Sequence, residues 1–383
     1  MAYPLSNRKS LKSCIRHFTW SWHTVVMGTS GVAALISRFH FGQDSEAVKI
    51  LTLSFFFLNL CFFVAICGAT IARYWLFPEL WDPVLQHPTQ SLFISTFPMA
   101  AATLINTALA INQKYAFSGL RFLYALWAFW WLDCAISLVA AVGMLMVMIT
   151  KQQHSLAQAS SLWLFPALPL VVASSTGGLL GDALAHHPTH AAITTAASLI
   201  ILIIGLSLAG MFATVYLMRL VVYGLDGGIV LSSFLILGPL GHGGFSFLVN
   251  GQNVARIPLP AYLSPIAIRT ATFCAAWVLW SISLFWIFIA LFSVRSVLRE
   301  QTIPFSIAHW GTIFPTALVA LLTGGAGGGP RKPYPDLPWC HIFYSGFLAV
   351  VLHLYQNDSC SLEYDDILLS LRLAARRENT CGI

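Results

Sequence analysis

Nine apolar segments, at about residues 18–38, 47–72, 90–112, 122–150, 161–183, 191–221, 229–249, 266–294 and 303–323, each offer the roughly 20 apolar residues that a helix needs to cross a bilayer. A weaker tenth lies at 337–355. No backbone polar group can be left bare in hydrocarbon, so segments of this kind are expected to fold as spanning helices. Composition agrees: 57% of the 383 residues are apolar and only 9% charged, whereas a soluble domain carries about 25% charged residues to wet its surface. The short linkers between them leave no room for an extramembrane enzyme domain. The expected fold is an all-α integral membrane protein of about ten transmembrane helices. Residues 1–17 read as a cytosolic tail, 18–323 as the transmembrane domain with nine spans, and 324–383 as an atypical tail that holds the weak tenth.

Orientation follows from Lys and Arg, which collect on the cytosolic side of membrane helices. With ten spans and a cytosolic N-terminus, twelve of the 20 Lys and Arg fall inside and eight outside. With nine spans the split becomes nine against eleven, so the bias favours ten. The opening MAYPLSNRKSLKSCIRHF has no cleavage site and is followed by too long an apolar run for a signal peptide. The net charge of +6 includes no basic run beyond Arg8, Lys9, Lys12 and Arg16, which excludes a nucleic-acid-binding face. The eight cysteines contain no Cys-x-x-Cys, so neither a disulfide framework nor a zinc site is indicated.

Proline separates the spans into two sets. Pro98, Pro166 with Pro169, Pro239 and Pro315 fall in spans 3, 5, 7 and 9, and three follow a phenylalanine: Phe97-Pro98, Phe165-Pro166 and Phe314-Pro315. Spans 2, 4 and 6 have none, and span 8 only Pro265 at its threshold. Span 1 substitutes Gly28 and Gly31, which also permit bending and close packing. A proline removes a backbone hydrogen bond, and the freed carbonyl must face protein or water. This predicts kinked odd helices around a central path and straight even helices outside against lipid.

Ionisable residues inside the membrane are costly to bury and rank as functional candidates. Here they are Asp133 in span 4 and His23, His242 and His309 in spans 1, 7 and 9. Asp133 reads either as a structural partner for a neighbouring helix or as a proton relay. His23 and His242 read either as packing histidines or as groups that gate or protonate a permeating acid anion. The Gly-dense GPLGHGGFSF, residues 238–247, is expected to be unwound or tightly apposed to another backbone. No Lys or Arg lies deep in an odd helix, which favours throughput over tight binding of an anion. His186, His187 and His190 form one cluster with no second box, so no metal is expected; no facing aspartate pair or phosphate-binding loop is present, so neither an enzyme, a cofactor nor an ATP site is expected.

Four stretches, RHFTWSWHTVVMGTSGVAAL, ARYWLFPELWDPVLQHPTQSLFISTFPMAAATLIN, LILGPLGHGGFSF and IPFSIAHWGTIFPTALVA, resemble the tellurite-resistance/dicarboxylate transporter family, which includes plant slow anion channels and a yeast malic acid transporter. HPTQSLFISTFPM and GPLGHGGF look most like its fungal sulfite efflux branch. The resemblance, over about residues 15–325, implies five helical hairpins around a central pore lined by odd helices. It also implies a blocking phenylalanine at Phe314, beside Pro315. The pore lining expected with them comprises His23, Gly28, Thr29, Phe97, Asn106, Phe165, Gly241 and His242. The implied function is export of sulfite or bisulfite across the plasma membrane, with a trimer of independent pores as in some relatives. His242 stands where the sulfite branch has a glutamine, and His23 where an aromatic is usual.

Beyond Val319 the family pattern continues apolar into a tenth helix, whereas this chain gives TGGAGGGPRKPYPDLP and then a polar end, as an altered exon boundary or shifted frame would. The one glycosylation sequon, Asn357-Asp358-Ser359, falls in this tail. Two alternatives therefore stay open beside sulfite efflux. One is a C4-dicarboxylate such as malate; the other is a non-transporting membrane paralogue disabled by its tail.

Overall fold

The computed structural model describes residues 11–37, 45–115, 119–225, 227, 230–257, 264–299 and 310–326. All the regular structure in them is helical: α1 (Leu11–Arg16), α2 (His23–Ser37), α3 (Glu46–Leu76), α4 (Trp81–Gln86), α5 (Thr96–Tyr115), α6 (Gly119–Thr150), α7 (Leu168–Ala183), α8 (Pro188–Tyr223), α9 (Leu237–Val254), α10 (Pro265–Leu298) and α11 (Trp310–Ala326). The chain divides into two compact units, Met1–Val319 and Ala320–Ile383. The second lies outside the described residues except for the end of α11, so the expected tenth span, the sequon and the atypical tail lie outside them too, as does His309.

Six described helical segments are long and apolar enough to cross a membrane: α3, Ser91–Gln113, α6, α8, Val230–Val254 and α10. The count of ten is not reached among these residues. α2 and α7 have only 15 and 16 residues, about 22–24 Å at the α-helical rise and short of a hydrocarbon core of roughly 30 Å.

The proline-bearing spans are built differently from the expected mid-helix kinks. Three of them open as a 3₁₀ turn that passes into α-helix: Ser91–Ser95 before α5, Ser161–Leu164 before α7 and Val230–Ile236 before α9; α2 does so too, after Trp20–Trp22. Pro98, Pro169 and Pro239 stand in the first α-helical turn, and Pro166 precedes it. A proline costs little there, because its missing N–H would have no intrahelical partner and its fixed φ suits a helix start. Among the described residues, only Pro315 sits inside its helix beyond the first turn.

Burial divides the helices as the prolines do. The most apolar windows of Ser91–Gln113 and Val230–Val254 are 72% buried, those of α3, α8 and α10 only 17–22% and that of α6 33%. Exposed side chains such as Phe129, Val139, Ile149, Val221 and Phe285 make the outer helices apolar toward their surroundings, the arrangement required of a multi-pass membrane protein. Inside, α2 packs on α5, α5 on α7 and α7 on α9. Residues 310–319 then complete the cycle. A side chain at Gly241 of α9 would lie 2.9 Å from the Val319 nitrogen and 3.0 Å from Leu318, while α2 meets α11 where Gly28 faces Trp310 and Gly31 faces Ala317, each 3.1 Å from an added Cβ. Indoles tie the outer helices to this inner set: Trp130 of α6 donates to the Ala173 carbonyl at 2.8 Å, and Trp286 of α10 to Ser233 at 3.0 Å.

Candidate functional site

Every inner helix contributes to one small cavity. Thr24 and Met27 come from α2, Met99 from α5, Phe165 and Leu168 from the start of α7, Leu235 and Gly238 from the start of α9, and Gly311, Phe314 and Pro315 from α11. Its volume is about 10 Å³, room for no more than one water. In four of the helices the lining residues belong to the 3₁₀-to-α junction and the first α-helical turns, so the cavity sits toward their N-terminal ends. That is the positive end of a helix dipole. Among the described residues the inner helices bring no acidic group to this end; Asp182, near the end of α7, pairs with Arg256.

Phe314 is 3% exposed and lines the cavity with Phe165, itself packed on Phe93 at 5.1 Å between ring centroids. A helical side chain leans over the turn that precedes it, and the residue one turn before Phe314 is Gly311, where an added Cβ would meet nothing within 4 Å. The turn over which the ring leans therefore carries no side chain at position 311.

His242 lies beside Phe314. Its ring centroid is 5.3 Å from that of Phe314, and its Nδ1 is 2.9 Å from the Ser175 hydroxyl of α7. The Ser175 hydroxyl also donates to the Val172 carbonyl at 2.8 Å, so the tautomer that satisfies both contacts is the one with the proton on Nδ1. The Nε2 atom is buried with no hydrogen-bond partner.

His23 is directed elsewhere. Its Nδ1 donates to the Trp20 carbonyl at 3.0 Å, its Nε2 lies 4.0 Å from Cys67 Sγ of α3, and Trp20, Phe63 and Phe97 surround the ring at 5.6, 6.5 and 5.7 Å. Phe97 also stacks on Phe63 at 5.9 Å. This puts His23 and Phe97 at the junction of α2, α3 and α5, not among the cavity-lining side chains. Thr29 is buried and donates back to the Val25 carbonyl at 2.8 Å, and Asn106 keeps a buried Oδ1 with no partner. Gly28 and Gly241 serve the close approach of α11 to its neighbours. The GPLGHGGFSF stretch is not unwound; it is continuous helix, held close to Leu168, Leu318 and Leu206 through Gly238, Gly241 and Gly243. Asp133 is buried in α6 with both carboxyl oxygens unpartnered. No cluster of three or more metal-binding side chains occurs among the described residues.

The sequence-based expectations therefore meet at the cavity in Phe165, Phe314 and Pro315. They missed Thr24, Met27, Met99, Leu168, Leu235, Gly238 and Gly311, and also Ser175. Most of these are apolar residues in apolar helices, with no signal that marks the inward face; Gly311, at a three-residue offset from Phe314, and Gly238, in the Gly-dense stretch, each carried one.

Residues 17–355 match the SLAC1 family, described as voltage-dependent anion channels. The chain is 29% identical over 357 residues, 91% of its length and 92% of the relative's, to a sulfite efflux pump SSU1 of Arthroderma benhamiae. It is 30% identical over 319 residues, 82% of each chain, to a sulfite efflux pump SSU1 of Arthroderma otae. Similarity to a malic acid transport protein of Schizosaccharomyces pombe is 24% over 190 residues, 49% of this chain and 40% of that one.

Proposed function

Because the chain belongs to the SLAC1 family of voltage-dependent anion channels, we propose that it exports sulfite or bisulfite across the plasma membrane through a path bounded by its five inner helices, with the N-terminus in the cytosol. On this reading the helices are arranged as hairpins around that path. Phe314 is the gate, and Phe165 and Pro315 line the path beside it. Gly28 and Gly241 hold α11 in register against α2 and α9. Asp133, buried in α6, keeps both roles open to it, structural partner or proton relay.

The observation that carries this reading is the cavity itself. It lies toward the N-terminal ends of the inner helices, each dipole worth roughly half an elementary charge there, yet it has no fixed cation or acid in its lining. An anion arriving from the cytosol meets a favourable potential without a charged residue that would trap it. At about 10 Å³ the cavity excludes any oxyanion, so passage requires its lining to open, and Phe314 is the lining side chain to which we assign that movement. The driving force needs no nucleotide, since an inside-negative membrane expels a monoanion with about 2.3 kcal/mol per 100 mV.

The test is sulfite release from, and sulfite tolerance of, a sulfite-sensitive yeast expressing this chain, with malate uptake measured alongside. Release that scales with surface expression supports sulfite. Malate uptake without sulfite release would transfer the assignment to a C4-dicarboxylate. Surface expression with neither would identify a non-transporting paralogue.

A further inference from the structure

We propose that His242 selects the proton carried by the permeating anion: the path favours an oxyanion that keeps one hydroxyl hydrogen over anions of the same size that have none. The inference rests on the anion path described above. The chain of donors runs one way, from His242 Nδ1–H to the Ser175 hydroxyl and from that hydroxyl to the Val172 carbonyl. The arrangement that satisfies both contacts puts the imidazole proton on Nδ1, and Nε2 then presents a lone pair. That atom is buried in a side chain only 4% exposed, and no donor reaches it.

A buried acceptor without a partner costs free energy, and the first suitable donor recovers it. The ring stands against Phe314, so movement of the gate changes what His242 faces. The charged side chains on described helices packed against α9 are Asp182 on α7, Arg219 on α8, and Arg269 and Arg295 on α10, and none is hydrogen-bonded to the imidazole. Asp182 is held by Arg256, and residues 310–319 of α11 contain no titratable side chain.

Two consequences follow from electrostatics. A dianion has no buried cation here to offset its desolvation, which grows with the square of its charge. A monoanion without a hydrogen brings only negative oxygen or halide toward a lone pair, and the two repel. A monoprotonated oxyacid such as bisulfite avoids both penalties, donating its O–H to Nε2 while its proton stays on the anion.

The experiment measures bisulfite and nitrate flux through the full chain in liposomes, for wild type, His242→Leu, His242→Gln and Ser175→Ala. Wild type should prefer bisulfite. Loss of the acceptor in His242→Leu should lower the bisulfite-to-nitrate ratio about tenfold, and His242→Gln, which restores an acceptor oxygen, should recover most of it. Ser175→Ala should lower the ratio by a smaller factor, because the imidazole loses the contact that fixes its tautomer. A ratio within twofold of wild type in His242→Leu overturns the inference while leaving the anion path intact. Should that variant fail to fold, an unchanged ratio in Ser175→Ala overturns it instead. Wild-type liposomes that pass neither anion overturn both the path and this inference.

Discussion

The ring of Phe314 lies 5.3 Å from the imidazole of His242 and is inclined to it by 48°, so the side chain that closes the cavity is also the packing neighbour of a buried acceptor. On the proposed reading, closure and substrate recognition share one interface, between α9 and α11.

Replacing Phe314 with Ala should raise sulfite flux about tenfold or more, because the cavity of about 10 Å³ would gain the volume of a phenyl ring. It should also lower stability by about 3–5 kcal/mol, as expected for a fully buried ring. Liposome flux and thermal unfolding in detergent measure the two effects on one sample. Unchanged flux despite the lost ring would remove Phe314 as the gate.

Gly311→Val separates gating from folding. An added Cβ meets nothing within 4 Å, so unfolding temperature should stay within a few degrees of wild type. The branched side chain occupies the space over which Phe314 turns, so flux should fall several-fold. Wild-type flux in this variant would place the rotation of Phe314 elsewhere.

Close packing of α9 on α11 should tolerate no side chain at position 241. Gly241→Ala places a methyl group 2.9 Å from the Val319 nitrogen and should cost about 1–3 kcal/mol through forced separation of two backbones. Gly210→Ala on the exposed side of α8, where nothing lies within 4 Å, should instead be neutral or stabilise by about 0.5–1 kcal/mol through helix propensity. Thermal unfolding of the two variants side by side checks the contrast.

The Trp130 indole is fully buried and donates to the Ala173 carbonyl at 2.8 Å. Trp130→Phe deletes the donor and part of the ring, and should cost about 1–3 kcal/mol while leaving the bisulfite-to-nitrate ratio unchanged. A changed ratio, read by the same flux assay, would mean that α6 reaches the path.

Much of the architecture was legible because it is local to the chain. Apolar runs marked the spans, and the prolines separated the buried helices from the exposed ones before any contact was known. The prolines misled in one respect. A kink in mid-helix and a proline in the first turn look alike in sequence, and only the 3₁₀ turns ahead of α5, α7 and α9 distinguish them. GPLGHGGFSF gave a similar choice, which the neighbouring Leu318, Leu206 and Leu168 decided in favour of close apposition.

By itself the sequence determined the solvent, the helical class, the family motifs and the position of Phe314 beside Pro315. Tertiary structure decided which faces meet: that His242 reaches Ser175 and Phe314 while His23 turns to Cys67, and that Met27, Met99 and Leu235 close the cavity. The reason is physical. In a soluble protein the polar face of a helix reveals which side is buried, but in a membrane both lipid and core accept the same apolar side chains. The inward face is then chosen by where glycine lets two backbones approach, and that depends on both helices at once.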